Sequence, residues 1–430
     1  MNDHWISLKM RLLVVLTLAV LFSCGSLFAY SVLTHEEIVD LVWTSEIRPL
    51  LLLRFPDLTE DQITEAHSFA YGGSVIQDLG YYPFGSKKFS ELVHYVRTGD
   101  FVLELLTQSS DANEYAFALG ALSHYTSDIV GHPAVNQAVA LRYPALRARY
   151  GNSVRYAQGT TAHLKTEFGF DTLQVAKNRY ASDQYHQFIG FKVAQPLLER
   201  TFAIVYGIPL KDVLTHEDLA IGSYRFSVSR LIPQMTKVAL QTHKKELMQE
   251  TPNFAKTRFL YRLSRSDYER EWGKSYTKPG LGTRVLSVIL KYFPKVGPFK
   301  GMGFDSPTAK TEDLYIKSIN ATVDQYRIYL NQVRTGALIL PNRDLDDGKA
   351  TAFLEYTLAD EAYESLLEEL SARKFEDISP ELRSNILEFF PSYSIPAQTA
   401  TRPGAAQTIV TNLDKLRAVT PSMADGATQP

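Results

Sequence analysis

Within Gly120–Val135, reading GALSHYTSDIVGHPAV, His124, Asp128 and His132 recur at every fourth residue. On an α-helix this spacing stacks the three side chains one turn apart on a single face. The residues between them are largely Ala, Leu, Val and Gly, so the segment also reads as a helix entering a core. Two imidazoles and a carboxylate are costly to bury there unless each finds a partner. One metal ion meets that need, because neutral imidazole and carboxylate are ordinary zinc ligands. His163 and Glu167 in AHLKTEFGF repeat the i, i+4 spacing. A lone His-x3-Asp is more often a hydrogen-bonded core or surface pair. Two rows in one chain point instead to helices gathered around a polar centre.

The surrounding sequence supplies those helices. Thr34-x-x-Glu37 forms a capping box that places His35 in a first turn. A second helix covers Leu58–Ala70, and Gly, Tyr and Pro make Tyr71–Ser86 an irregular loop carrying Asp78. Phe89–Thr98 is helical and carries His94; Phe101–Leu106 is a further short helix. Glu114–Ala140 is long and apolar on several sides, with a kink expected at Pro133. Helices over Ala157–Phe168, Phe170–Lys177, Ser182–Tyr206 and Glu217–Gln249 follow, then Asn253–Trp272, Thr311–Val333 and Glu355–Leu370. No strand-like alternation appears, which predicts an all-α multi-helix bundle with a metal cluster in its core. A smaller helical C-terminal region is expected over 251–390, and an Ala-, Thr-, Pro- and Gln-rich disordered tail over 391–430.

Residues 1–29 read as a signal peptide: Lys9 and Arg11, an apolar run from Leu12 to Phe22, and Ala29 before the cut. That run is shorter than the roughly 20 residues needed to span a bilayer. An exported protein, periplasmic or secreted, is implied. The only cysteine, Cys24, is the alternative anchor point of a lipoprotein. Cleavage after Ala29 leaves no cysteine, so a metal would fall to His, Asp, Glu and backbone atoms. The chain balances 45 basic against 47 acidic residues, for a net charge of −2. It therefore lacks the global basic field that non-specific nucleic-acid binding rests on.

Taken in order, His35, Asp78, His94, His124-x3-Asp128-x3-His132 and His163-x3-Glu167 resemble the zinc-dependent phospholipase C superfamily. That group also contains the S1/P1 single-strand nucleases and the catalytic domain of glycosylphosphatidylinositol-specific phospholipase D. The x3 gap between Asp128 and His132, the opening YSVLTHEEIV and AYGGSVIQDLGYYPFG look more like that phospholipase D than like the bacterial phospholipases C. The resemblance extends over a domain of residues 30–250. It implies two or three zinc ions, with Asp128 bridging two of them. Asp78, His94 and His124 would complete one side, and His35 with the amine and carbonyl of Tyr30 the other. His132, His163 and Glu167 would hold the third. Asp78 would also orient or deprotonate the attacking water.

The function implied is zinc-dependent phosphodiester hydrolysis, phospholipase C-like and directed at phospholipids. The tyrosines and Phe84 of the Tyr71–Phe89 segment are candidates to line a groove for lipid or base. Arg284–Lys300, RVLSVILKYFPKVGPFK, reads as a packed helix or as a peripheral membrane contact. Asn342–Gly348, NRDLDDG, does not fit a calcium loop, because Phe353 stands where a bidentate Glu is required. Two other readings stay open: an S1/P1-type nuclease, which would need aromatic clamps for bases, and a non-catalytic zinc-binding envelope protein. Oligomeric state is not encoded in any motif here.

Overall fold

The computed structural model describes residues 32–176, 189–233, 235–236, 305–390 and 405–419. Among these the elements are helical, and the one β pairing is an isolated bridge between Arg343 and Ala350. The all-α class holds. The principal helices are α1 (Val32–Val42), α2 (Glu60–Ser74), α3 (Lys87–Tyr95), α4 (Thr98–Gln108), α5 (Ala112–Arg142) and α6 (Thr160–Ala176). They continue with α7 (Gln195–Tyr206), α8 (Glu217–Phe226), α9 (Ala309–Thr335), α10 (Thr357–Ala372), α11 (Pro380–Phe389) and α12 (Ala405–Ala418). No helix of the described residues is long and apolar enough to cross a membrane.

Helix α5 is the axis. Asp111 caps it, its carboxylate accepting from the N–H groups of Asn113 and Glu114 at 2.9 Å each. From Tyr115 through Asp128 every residue is buried, as expected of a helix apolar on all sides. Pro133 lies inside the helix without ending it. Helix α2 packs on α5 backbone to backbone. A Cβ added at Gly73 would lie 2.0 Å from the Phe117 carbonyl oxygen, and one at Gly120 would lie 2.1 Å from that of Ala70. Glycine is what permits this approach. On another flank, α9 presents Tyr315, Ile319, Val323, Tyr326 and Leu330, all buried, and Tyr326 donates its hydroxyl to the Leu119 carbonyl at 2.8 Å.

Several local expectations are corrected. Helix α2 runs on through Gly72 and Gly73 to Ser74, because those glycines are contacts rather than breaks. Asp78 therefore sits on a 3₁₀ turn, Ile76–Tyr81, not in an open loop. The two expected pieces of α6 are one helix. The Thr34–Glu37 capping box is not made: the Thr34 hydroxyl donates to Asp171 at 2.9 Å, and Glu37 accepts from Gln174 at 2.9 Å. The stretch beyond 391, expected to be disordered, contains α12. Its sparse apolar residues, Ile409, Leu413 and Leu416, recur at helical spacing and are buried, while Arg383 donates to the Leu416 carbonyl at 3.2 Å. The expected signal peptide, Cys24, Tyr30, the boundary expected near 250 and Arg284–Lys300 lie outside the described residues.

Candidate metal centre

Five helical elements deliver the chemistry to one place. Helix α1 carries His35, the 3₁₀ turn Asp78, α3 His94, α5 the row His124, Asp128 and His132, and α6 His163 and Glu167. All eight are at most 1% exposed. The close α2–α5 contact has a direct consequence here, since it brings the Ser74 carbonyl to His124 Nδ1 at 3.0 Å. On α3 the Ser90 carbonyl meets His94 Nδ1 at 2.7 Å. A carbonyl can only accept, so each Nδ1 holds the proton and Nε2 is the nitrogen left free to bind a metal.

Those nitrogens converge on carboxylates. Asp128 has His124 Nε2 at 3.0 Å and His94 Nε2 at 3.6 Å from Oδ2, with His35 Nε2 at 3.7 Å and His132 Nε2 at 3.6 Å from Oδ1. His94 Nε2 is also 3.4 Å from Asp78 Oδ1. The rings of His35 and His124 stack at 4.4 Å. Two triads have ligand atoms mutually within 4.8 Å: His35, His124 and Asp128, and Asp78, His94 and His124. Both oxygens of Asp78, both of Asp128, and Nε2 of His94 and His124 are buried without a hydrogen-bond partner. Such atoms are rarely orphaned in a folded protein, and a shared cation satisfies them together. The donor set of imidazole nitrogen and carboxylate oxygen fits zinc.

The electrostatics agree. Burial pushes the Asp128 carboxyl up, but His124 and His132 outweigh it and hold the group well below the usual carboxylate range. Burial alone would lower His94, yet Asp78, 3.4 Å away, and the charge of Asp128 raise it to about 9. His124 is likewise raised against burial, by Asp128. His35 moves the other way, lowered by burial and by His124.

The third expected trio is only partly assembled. His132 joins the Asp128 group, while His163 and Glu167 face each other, Nδ1 to Oε1 at 3.1 Å. His163 Nε2 donates to the Val154 carbonyl at 2.6 Å, which leaves Nδ1 to accept. Burial raises Glu167 well above its ordinary value and lowers His163. Glu167 Oε2 has no hydrogen-bond partner. Of the aromatic residues offered for a groove, Tyr81 comes nearest, its ring 5.9 Å from that of His94; Tyr82 is buried and Phe84 is 43% exposed. Tyr71 turns away to Asp40, which also pairs with His67 at 2.9 Å, a core cluster capped by Trp43 stacking on His67 at 3.6 Å.

Comparison with known families bears directly on this cluster. Residues 34–215 match the family model described as zinc dependent phospholipase C. That segment is similar to the zinc-dependent phospholipase C family. The match takes in His35 through Glu167 and concerns the family as a whole, not its phospholipase D branch. No curated protein and no solved structure matches the chain. The family segment does not contain everything around the site. Sequence reasoning passed over Asp171, whose carboxylate accepts from Leu33 N–H at 3.0 Å and from the Thr34 hydroxyl. It also passed over Asp346 and Tyr356, which stand beside Tyr95 and carry no local motif.

Proposed function

We propose that the protein is a zinc-dependent phosphodiester hydrolase of phospholipase C type, acting on phospholipids. The observation that carries the reading is the set of orphaned buried donors on Asp78, His94, His124 and Asp128 inside a segment that matches the zinc dependent phospholipase C family. In this reading Asp128 would serve two ions, with Asp78, His94 and His124 holding one and His35 with the Tyr30 main chain the other. His132, His163 and Glu167 would take a third. Bound zinc acidifies water and neutralises charge developing on phosphoryl oxygens.

The protein's own groups do the rest. The Ser74 and Ser90 carbonyls fix the tautomers of His124 and His94, so that no reorganisation is needed when substrate arrives. Asp78 has a second oxygen beyond the one near His94, through which it would orient or deprotonate the attacking water. The near-neutral charge balance favours lipid over a polyanion as substrate. The test is hydrolysis of phosphatidylcholine in vesicles, bis-p-nitrophenyl phosphate and single-stranded DNA, with and without a chelator. Chelator-sensitive turnover of lipid and of the soluble diester is expected, with little DNA cleavage. Efficient, steeply salt-dependent DNA cleavage without lipid turnover would favour the nuclease, and zinc binding with no turnover a structural role.

A further inference from the structure

Part of the wall around the cluster comes from beyond the family segment, from the loop Asn342–Gly348 between α9 and α10. The loop is fastened at many points. Asn342 Oδ1 accepts from the N–H groups of Gly99 and Asp100 at 3.0 and 3.1 Å. Arg343 N–H donates to the Thr98 hydroxyl, which donates to the Arg343 carbonyl, at 2.9 and 2.8 Å. Asn136 on α5 donates to the Asp346 carbonyl at 2.8 Å. Gly348, at φ +72°, lies so close to α5 that a Cβ there would be 2.3 Å from the Ile129 carbonyl oxygen. That carbonyl is the one Pro133 deprives of its helical N–H partner. The loop is therefore seated where the ladder of α5 is interrupted, between Asp128 and His132.

From this seat, consecutive loop residues grip consecutive residues of α3. Leu345 N–H donates to the His94 carbonyl at 3.1 Å. Asp346 Oδ2 accepts from the Tyr95 hydroxyl at 3.0 Å and from the Tyr356 hydroxyl. Asp346 is 3% exposed, and its N–H is held by Asp344 at 2.8 Å. Arg155 pairs with Asp347 and Asp344, at 3.2 and 3.9 Å, and Asp346 makes no ion pair among the described residues. The neighbouring Asp344 and Asp347 oxygens accept loop N–H groups, as in an Asx turn.

We propose that Asp346 is a positioning residue of the metal centre. With Leu345 it clamps His94–Tyr95, keeping His94 Nε2 aimed at Asp78 and Asp128. The proposal rests on the zinc reading above, so the test reads metal binding rather than turnover. Zinc affinity of the full mature protein is measured by chelator competition, and coordination by visible absorption after cobalt substitution. Asp346→Ala should weaken zinc about ten- to a hundredfold and change the cobalt spectrum, the size typical of losing an outer-sphere partner. Asp346→Asn retains an acceptor for one tyrosine and should fall between Asp346→Ala and wild type. Tyr95→Phe deletes one anchor only and should weaken zinc by about threefold, below the full outer-sphere effect. A folded Asp346→Ala protein with wild-type affinity and spectrum overturns the clamp; if that variant does not fold, wild-type affinity in Tyr95→Phe does so. A wild-type protein that binds no zinc refutes the metal reading itself, whereas equal binding by wild type and variants refutes the clamp alone.

Discussion

Replacing Gly120 by Ala tests the link from helix packing to the site. The added Cβ would lie 2.1 Å from the Ala70 carbonyl oxygen and 2.9 Å from both the Ala70 carbonyl carbon and the Ser74 nitrogen. These are backbone atoms, so no side chain can swing aside, and α2 must move by about an ångström to restore van der Waals separation. Overpacking of this kind costs about 1–3 kcal/mol. The same displacement acts on Ser74, whose carbonyl is 3.0 Å from His124 Nδ1. An ångström of outward movement takes that contact past hydrogen-bond range. His124 then loses the bond that fixes its tautomer, and zinc affinity should drop about tenfold or more. Equilibrium denaturation of the metal-free protein gives the first quantity, and chelator competition gives the second. Gly120→Ala with unchanged stability and unchanged zinc affinity would refute the reasoning. Lost stability with unchanged affinity would show that the Ser74 bond does not orient His124.

Three further outcomes are expected. Asp128→Asn should lower both zinc content and turnover, since one carboxylate is shared among four imidazoles; metal analysis and kinetics check this, and wild-type values for both would contradict it. Zinc binding near pH 7 should release protons, because His94, raised to about 9, is protonated there and must lose its proton to bind metal. Calorimetry in buffers of different ionisation enthalpy reads that release, and it should diminish as pH rises through 9. An extra residue left before Tyr30 should weaken zinc binding if the amine of Tyr30 is a ligand, and equal affinity with and without the extension would remove that role.

Much of the centre was legible because helices translate sequence spacing into geometry. His124, Asp128 and His132 had to share a face once the segment was helical, and the same holds for His163 and Glu167. The all-α class followed from periodicity. What stayed hidden depends on distance along the chain. Gly72 and Gly73 read as helix breakers, whereas their lack of a side chain serves contact with other segments, at Lys192 and Phe117. The Thr34 capping box lost to Asp171, whose carboxylate holds both Leu33 N–H and the Thr34 hydroxyl. In NRDLDDG nothing local ties Asp346 to Tyr95. In α12 a few apolar residues at the right spacing outweighed a composition typical of disorder, because α10 and α11 offered a surface to cover.

The central claim is that the buried cluster exists to hold zinc, and metal stoichiometry tests it most directly. Mature protein purified without chelator, saturated with zinc and freed of excess, should carry at least two zinc ions per chain by elemental analysis. Thermal stability should fall when a chelator strips them, since ligands that bind only the folded state stabilise it. Less than one zinc per chain after saturation, with a melting temperature indifferent to chelator, would contradict the account.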